Sequence, residues 1–539
     1  MFNHGTQTEE EGSALPLSLQ LHSLSWLPCS TGVVGGVEVG LCIAPPTFPH
    51  SFTLCVVGVH NFASSGPITI KQFERHGSSE SSHSNSADQL RKWRPSSQSA
   101  TSDTWAFKEY GLEYGIVIDS GSSRSSVYLY EWPGEKQNET GVVTEILNCR
   151  VDGDGISEMK VDPQKDEKSW TAFRKCMAQI TVAIPAEKHK TTPLFLGATA
   201  GMRLLHQLDE QRSNEILASL RTYLSSLPFD FHNASIIAGQ EEGLYGWITV
   251  NYLMGNFLEK NLWNTYVQPE GAKTVGSMDL GGASTQIAFA VQDDLEGPDY
   301  MPIKLYGYPY NVYTHSFLCY GKNEAEKRVL DKIVQESRDP AYILNPCYPE
   351  GFNITVKASS IYETQCIEKP ANYNPDQDLF MVGAPDSDKC RSLVKSIFDF
   401  KTCSSAHCSF NGVEQPPVTG EFMAYAGFFY VKRALHLNGS VDFDQFQSLV
   451  REFCHTNWTE LREEKKWISE RYLKSYCQGA HYIFTLLADG YKFDKETWKG
   501  ISFQKEVKDT SVGWSLGYML TLTIVMVVIV FIFLIRTCY

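Results

Sequence analysis

The sequence predicts an α/β protein built from two related lobes, and two matching stretches carry that prediction. One is Met278-Asp-Leu-Gly-Gly-Ala-Ser-Thr-Gln286, led into by an apolar run from Thr274 and followed by another, Ile287 to Val291. An Asp at a strand end can hold a metal directly or through water. The glycines after it let the backbone turn tightly and bring its N–H groups close to an anion. Ser284 and Gln286 add side-chain hydrogen bonds at the same mouth. The other stretch, Gly115-Ile-Val-Ile-Asp119-Ser-Gly-Ser-Ser123, repeats the order of apolar strand, Asp, Gly and small hydroxyl residues, and Val127 to Tyr130 supplies the returning strand. One Gly-Gly hairpin is usually only a turn. Two Asp–Gly hairpins in one chain predict lobes that face each other across a phosphate.

A length of 539 residues exceeds one ordinary core and suits two lobes plus extras. The net charge of −15 argues against a nucleic-acid surface. It leaves a nucleotide ligand open, because a metal ion and backbone amides can neutralise phosphates. Of 14 cysteines, ten lie between Cys149 and Cys477, with no CxxC pair and no nearby His pair. A disulfide framework in an oxidising compartment fits better than zinc. Five N-x-[ST] sequons, at Asn138, Asn233, Asn353, Asn438 and Asn457, agree with a lumenal or extracellular domain. Met519 to Ile535 is a charge-free apolar run ending at Arg536. It predicts a C-terminal transmembrane helix with residues 536–539 as a cytosolic tail. The alternative, a buried core helix, is disfavoured because Val, Ile and Phe occupy every face.

Residues 1–105 form an atypical N-terminal region. Ser64 to Ser102 holds twelve serines and few large apolar groups, which predicts disorder. Val33 to Ala44 and Phe52 to Val59 are apolar but short, and neither looks like a membrane span or a signal peptide, so no N-terminal anchor is found. The first lobe starts near Tyr110. Trp170 to Ile180 has helical spacing, and Leu194 to Leu196 is a short buried strand leading into Gly197-Ala-Thr-Ala-Gly-Met-Arg203 and a helix. Thr199 either caps that helix or points at a phosphate, and taken alone the cap is favoured. After the strand Ala234 to Ala238, Gly239-Gln-Glu-Glu242-Gly opens a long helix, Leu244 to Leu258. One carboxylate there serves the helix dipole or acts as a general base, with nothing in the residues to decide. In the second lobe, Ile303 to Tyr313 reads as strand, Glu324 to Gln335 as helix, and Cys347 to Cys408 as loop-rich. Glu421 to Tyr430 starts a helix whose aromatics are mostly core, with one available to stack on a base. Trp467 to Leu487 reads as helical, and the globular part ends at Gly513-Trp-Ser-Leu-Gly-Tyr518.

Over about Tyr110 to Tyr518 the chain resembles the ecto-nucleoside triphosphate diphosphohydrolases, the membrane-bound apyrases, most closely their cell-surface subgroup. Five motifs carry the resemblance, in order: Ile118-Asp-Ser-Gly-Ser-Ser123, Gly197 to Arg203, Gly239-Gln-Glu-Glu-Gly243, Asp279-Leu-Gly-Gly-Ala-Ser284 and Phe422 to Tyr430. The resemblance implies a two-lobed actin-like (ribonuclease H-like) fold with a cleft between lobes. Lobe I would be residues 106–238 completed by about 505–517, lobe II 239–504, and the membrane helix 519–535. It implies hydrolysis of extracellular ATP, ADP, UTP and UDP to monophosphates with Ca²⁺ or Mg²⁺, at a cell-membrane location with the catalytic domain outside. Glu242 would be the base, with Ser284 and Gln286 placing the water. Ser122, Ser123, Arg124, Thr199, Gly282, Ala283 and Ser284 would bind phosphate. Asp119, Asp279 and Trp514 would hold the metal through waters, and Tyr430, Tyr476 and Lys322 would meet the nucleoside. The implied disulfides are Cys149–Cys176, Cys319–Cys366, Cys347–Cys390, Cys403–Cys408 and Cys454–Cys477. Lys322 replaces an Arg of relatives and loses its planar fork, and Ser120 stands where relatives have Ala. Expected partners are nucleotides and a membrane, with no nucleic acid; a homo-oligomer stays open. A nucleotide-binding receptor without turnover and a sugar-kinase-like phosphotransferase are the competing functions. A P-loop ATPase is excluded, because no GxxxxGK[ST] stretch exists.

Overall fold

The apolar run before Asp119 becomes a strand buried on both faces, with Ile116, Val117 and Ile118 fully covered. The computed structural model describes residues 111–523 except 135–140, 161–166, 262–265, 270–272, 293–294, 340, 406 and 438–441, together with a hairpin of Ser30–Val34 and Val37–Leu41. That hairpin takes up most of the apolar stretch at Val33–Ala44 and belongs to a separate unit, residues 1–102. Phe52–Val59 and the serine-rich stretch lie outside the described residues.

Strand β1 (Leu112–Ser120) pairs antiparallel with β2 (Ser125–Pro133), and β2 with β3 (Thr144–Val151). β4 (Pro193–Ala198) and β5 (Asp230–Ile236) add in parallel on the other side, giving the order β3-β2-β1-β4-β5. The second sheet consists of β6 (Gly276–Leu280), β7 (Ser284–Val291), β8 (Tyr300–Leu305), β9 (Tyr308–Leu318), β10 (Phe422–Ala426) and β11 (Ile501–Phe503). Its order is β8-β9-β7-β6-β10-β11. Without the edge strand β8, order and pairing directions match the first sheet. The fold is α/β and is built on two large mixed sheets, each carrying an Asp near the end of its first strand. Asp119 sits opposite Ser126, and Asp279 opposite Gln286.

Helices fill the faces according to their apolar stripes. α1 (Glu167–Ala183), α2 (Ala200–Leu208) and α3 (Glu210–Ser225) set Trp170, Phe173, Met202, Leu217 and Leu220 against Ile116, Ile118, Leu194 and Leu196. α4 (Gly239–Met254) lies directly on the second sheet, because its contact side carries glycine at 239, 243 and 246. A methyl there would collide with Ser316, Thr314 and the Tyr425 hydroxyl respectively. The five disulfides Cys149–Cys176, Cys319–Cys366, Cys347–Cys390, Cys403–Cys408 and Cys454–Cys477 are formed. Cys390, Cys477 and His481 cluster closely, but both cysteines are bonded elsewhere and are not free thiolate ligands.

Three expectations change. Glu421–Tyr430 is a strand for its first half and a helix only from Gly427. A continuous apolar run has no period to separate the two states. Trp467–Leu487 is broken into Glu470–Leu473, Tyr476–Phe484 and a π-helical turn, Thr485–Gly490. Most important, the expected membrane helix begins inside the globular core. A helix covers 514–523, and Met519 and Leu520 are fully buried in one cluster with Val117, Tyr130, Trp247 and Ile248. Gly517 packs on the α4 backbone and donates its N–H to Thr249 Oγ1 at 2.8 Å. Hydropathy reports only that a segment leaves water, and here Met519, Leu520 and Thr523 leave it for the protein interior. Residues 524–535 lie outside the described residues, and no helix among the described residues is long and apolar enough to cross a membrane.

This packing makes residues 516–523 part of the folding unit. Met519→Ala should cost about 2–5 kcal/mol of stability, the usual range for emptying a core site, read by denaturant unfolding of a chain ending after Thr523. An unchanged midpoint would show that Met519 lies outside the core.

Candidate active site

The two Asp–Gly hairpins meet. A side chain at Gly282 would collide with Ser122 Oγ, so only glycine lets the second loop come this close to the first. α5 (Lys322–Glu336) begins beside the second loop. The N–H groups of Lys322 and Asn323 donate to the carbonyls of Gly281 and Gly282, each at 2.8 Å, and that of Cys319 to Ala283 at 2.9 Å. Because peptides are planar and trans, this turns the N–H groups of Gly282 and Ala283 away from the α5 side. Between the loops opens a cavity of about 450 Å³. Its lining includes Asp119, Ser122, Ser123, Arg124, Thr199, Glu242, Asp279, Gly282, Ala283, Ser284, Lys322, Tyr430, Tyr476 and Trp514.

The competing local readings resolve residue by residue. Thr199 occupies the N-cap position of α2 but makes no side-chain cap, and its buried side chain lines the cavity. At the start of α4 the two carboxylates divide the work. Glu241 accepts the Ala238 N–H at 2.9 Å and closes the helix end, while Glu242 turns inward and is buried.

Glu242 Oε2 accepts from Arg203 Nη2 at 2.8 Å and Gln286 Nε2 at 2.9 Å. Both donors also reach Ser284 Oγ, at 3.1 and 2.7 Å. With two N–H groups on its lone pairs, the Ser284 hydroxyl directs its own proton elsewhere. Gln286 stands between Asp279 and Ser316 in sheet register, which points all three to the α4 side. Burial pushes the Glu242 pKa up, and the Arg203 guanidinium opposes this.

Asp119 and Asp279 are half-buried on the cavity wall. Burial, the main cause, with a contribution from Glu242, raises Asp119 to about 6, against the Trp514 N–H and Arg124. Burial, then Glu242 and Asp119, push Asp279 well above its ordinary value. The Trp514 indole lies over Gly197, the register partner of Asp119, where any side chain would collide with it. Its N–H closes no ordinary hydrogen bond among the described residues, and neither does Gln286 Oε1. Two Asp carboxylates with no ion pair of their own among the described residues, beside the unpartnered Gln286 Oε1 acceptor, fit a hydrated divalent cation with oxygen ligands.

The far end of the cavity is aromatic. Lys322 Nζ lies 4.9 Å from the Tyr476 ring centre and 5.4 Å from that of Tyr472. Burial lowers the Lys322 pKa and lifts that of Tyr476 to about 12, with Tyr430 adding to the latter. Tyr430 belongs to α7 (Gly427–Ala434), numbered after α6 (Ser387–Lys395). Ala426, just before α7, holds φ 51° on the cavity wall. Ser120 accepts a 3.3 Å hydrogen bond from Ser125 Oγ, which accommodates its extra hydroxyl. Of the sequons, Asn233 and Asn353 lie exposed on strands, Asn457 is exposed and caps a helix through Glu460 N–H at 3.0 Å, and Asn138 and Asn438 lie outside the described residues.

The GDA1/CD39 (nucleoside phosphatase) family model matches residues 107–532. The chain belongs to this family. It is 49% identical over 418 residues to ectonucleoside triphosphate diphosphohydrolase 3 of Homo sapiens, covering 77% of this chain and 78% of the relative. It is 42% identical over 422 residues to ectonucleoside triphosphate diphosphohydrolase 2 of Gallus gallus, covering 76% and 83%. A crystal structure of nucleoside triphosphate hydrolases from Neospora caninum is similar at TM-score 0.54 and 16% identity, covering 77% of this chain and 93% of that one, which speaks to the fold alone.

In this GDA1/CD39 chain the structure adds residues to which the sequence had given no role. Arg203, in the second motif, pairs with Glu242. Its position one turn after Thr199 was the available signal. Ser316 accepts from Gln286 at 2.9 Å but comes from β9, far away in sequence. Arg433 stacks 4.3 Å over Trp467 at the cavity's aromatic end, one turn after Tyr430.

Asp119 binds its proton more tightly folded than unfolded, so its stabilising contribution is lost as pH rises through about 6. At pH 7.5 without divalent cation, Asp119→Asn should therefore raise the melting temperature. The same variant should show a smaller rise than the parent on adding Ca²⁺ or Mg²⁺. An equal cation response in both proteins would remove Asp119 from the cation site.

Proposed function

We propose that this chain hydrolyses extracellular nucleoside tri- and diphosphates to monophosphates and phosphate, by in-line attack of water at the terminal phosphorus. The observation that carries the proposal is the meeting of two Asp–Gly loops around the buried Glu242 and the half-buried Asp119 and Asp279, in a chain of this family. We assign residues 106–238 with 505–517 to one lobe and 239–504 to the other. We assign residues beyond 523 to membrane attachment.

A phosphoanhydride resists water because its oxygens repel a nucleophile. The Gly282 and Ala283 amides, Ser122, Ser123, Thr199 and Arg124 would hold the phosphate oxygens and draw off that charge. Asp119 and Asp279, with Trp514 beside Asp119, would hold a Ca²⁺ or Mg²⁺ ion through its waters. When bound, the ion supplies charge neutralisation on the polyphosphate. Ser284 and Gln286 would orient the water, and Glu242 Oε2 would take its proton as the new P–O bond forms and the anhydride bond breaks. Arg203 would keep Glu242 ionised in spite of its burial. Tyr430 and Tyr476 would offer flat apolar faces to the base, which every base can use, so broad base tolerance follows.

Glu242→Gln should lower the rate of phosphate release roughly 10²–10⁴-fold while nucleotide affinity changes little, as read by a time course of ATP, ADP and AMP beside equilibrium binding. A variant of parental rate would remove Glu242 as base. A raised base pKa means that activity fails at higher pH on the acid side, and Arg203 opposes that rise. Arg203→Gln should therefore shift the acid limb of kcat upward; an unmoved limb would limit Arg203 to packing.

A further inference from the structure

A small three-stranded sheet stands apart from the cavity. Its strands are Ile343–Asn345, Asn353–Lys357 and Asp378–Gly383, with Asp378–Gly383 in the middle. The inner face is core: Ile343, Leu379 and Met381 are buried, with Ile354 and Val356 against them. A sheet covered on one side normally turns polar side chains outward. Here the outer face carries Leu344, 56% exposed, with half-buried Phe380 and Val382. Tyr342, 53% exposed, sets its ring 6.0 Å from Phe380. The Lys357–Asp378 ion pair, 2.9 Å, closes the far end.

The register places a sequon in the middle of these apolar groups. Asn353 is paired with Val382 and Thr355 with Phe380, while Leu344 pairs with Val382 from the other side. Directly paired residues point to the same face, with Cβ atoms about 4.5–5.5 Å apart. Asn353 and Thr355 of the Asn353-Ile354-Thr355 sequon are both exposed. Their strand is an edge strand, bonded on one side only and open on the other to pairing with another chain. Asn457, by contrast, is engaged in a helix cap.

We propose that Asn353 carries an N-linked glycan whose first sugars lie across Val382, Phe380 and Leu344 and close this face and edge to other proteins. An N-acetylglucosamine ring has an apolar face that can rest on Phe380, and its hydroxyls meet the water that these side chains shed. The proposal rests on the reading of this chain as an exported enzyme, and it assigns the glycan a place in the fold beyond solubility.

The test uses the full chain expressed in a glycosylating cell line. Glycopeptide mass spectrometry should find Asn353 occupied. Trimming the folded protein to single N-acetylglucosamine residues should leave binding of an apolar dye unchanged. Complete removal should raise dye fluorescence several-fold and produce concentration-dependent self-association. Phe380→Ser should reduce that gain. Asn353→Gln should behave as the fully deglycosylated protein, whereas Thr355→Ser, which keeps the sequon, should behave as the parent. An unoccupied Asn353 beside occupied sequons elsewhere would overturn the proposal and leave the export reading intact; sugar on none of them would sink both. Unchanged dye binding and association after complete removal would also overturn it, as would a fully glycosylated protein that dimerises through this face. Because nucleotide hydrolysis is measured separately, its loss would count against the function and not against the glycan.

Discussion

Three carboxylates line one cavity mouth, and most of the surrounding architecture exists to keep them there. Asp119, Asp279 and Glu242 come from two sheets and a helix, and they repel one another in a medium that disfavours each charge. A fold that only sought stability would separate them or replace them with apolar groups. Here small residues force them together: the glycine side of α4 against the second sheet, Gly197 beneath Trp514, and Gly282 against Ser122. Arg203 pairs with Glu242 alone, so Asp119 and Asp279 keep carboxylates with no ion pair of their own among the described residues.

The repeated sheet order explains how one geometry produces both jaws. In each sheet the first strand is central, flanked by an antiparallel partner on one side and a parallel one on the other. Its Asp therefore emerges near a hairpin loop, beside the turn that follows the parallel strand. In the first sheet that turn leads into α2 and presents Thr199; in the second it leads into α7 and passes through Ala426 at φ 51°. A non-glycine residue in that region costs of order 1–3 kcal/mol, and the strand before it and the helix after it hold it there. The cluster shared by α4 and the 514–523 helix binds the two sheets into one body and brings Trp514 to Asp119.

Much of this was legible because it is local. The hairpins, the Asp positions and the strand before Gly197 each follow from a few consecutive residues with strong backbone preferences. What the sequence hid was either an equal contest or a long-range contact. Glu241 and Glu242 have the same chemistry and differ only in helical position. Phe422–Tyr430 carries no charged residue, so its switch from strand to helix at Gly427 leaves no change of period. Met519 and Leu520 look like lipid-facing residues because transfer out of water is all that hydropathy measures. The Arg203–Glu242 and Gln286–Ser316 contacts join distant segments, and no spacing rule could have paired them.

The cap at Glu241 has a consequence for the whole α4 helix. Each residue of an α-helix advances about 100° around the axis, so a slip of one position would turn Glu242 away from Gln286 and swing its neighbour into the cleft. By gripping the Ala238 amide, Glu241 sets the rotational phase of the helix from its first turn. A half-buried carboxylate at the helix end thereby acts as the index mark against which its buried neighbour is aligned.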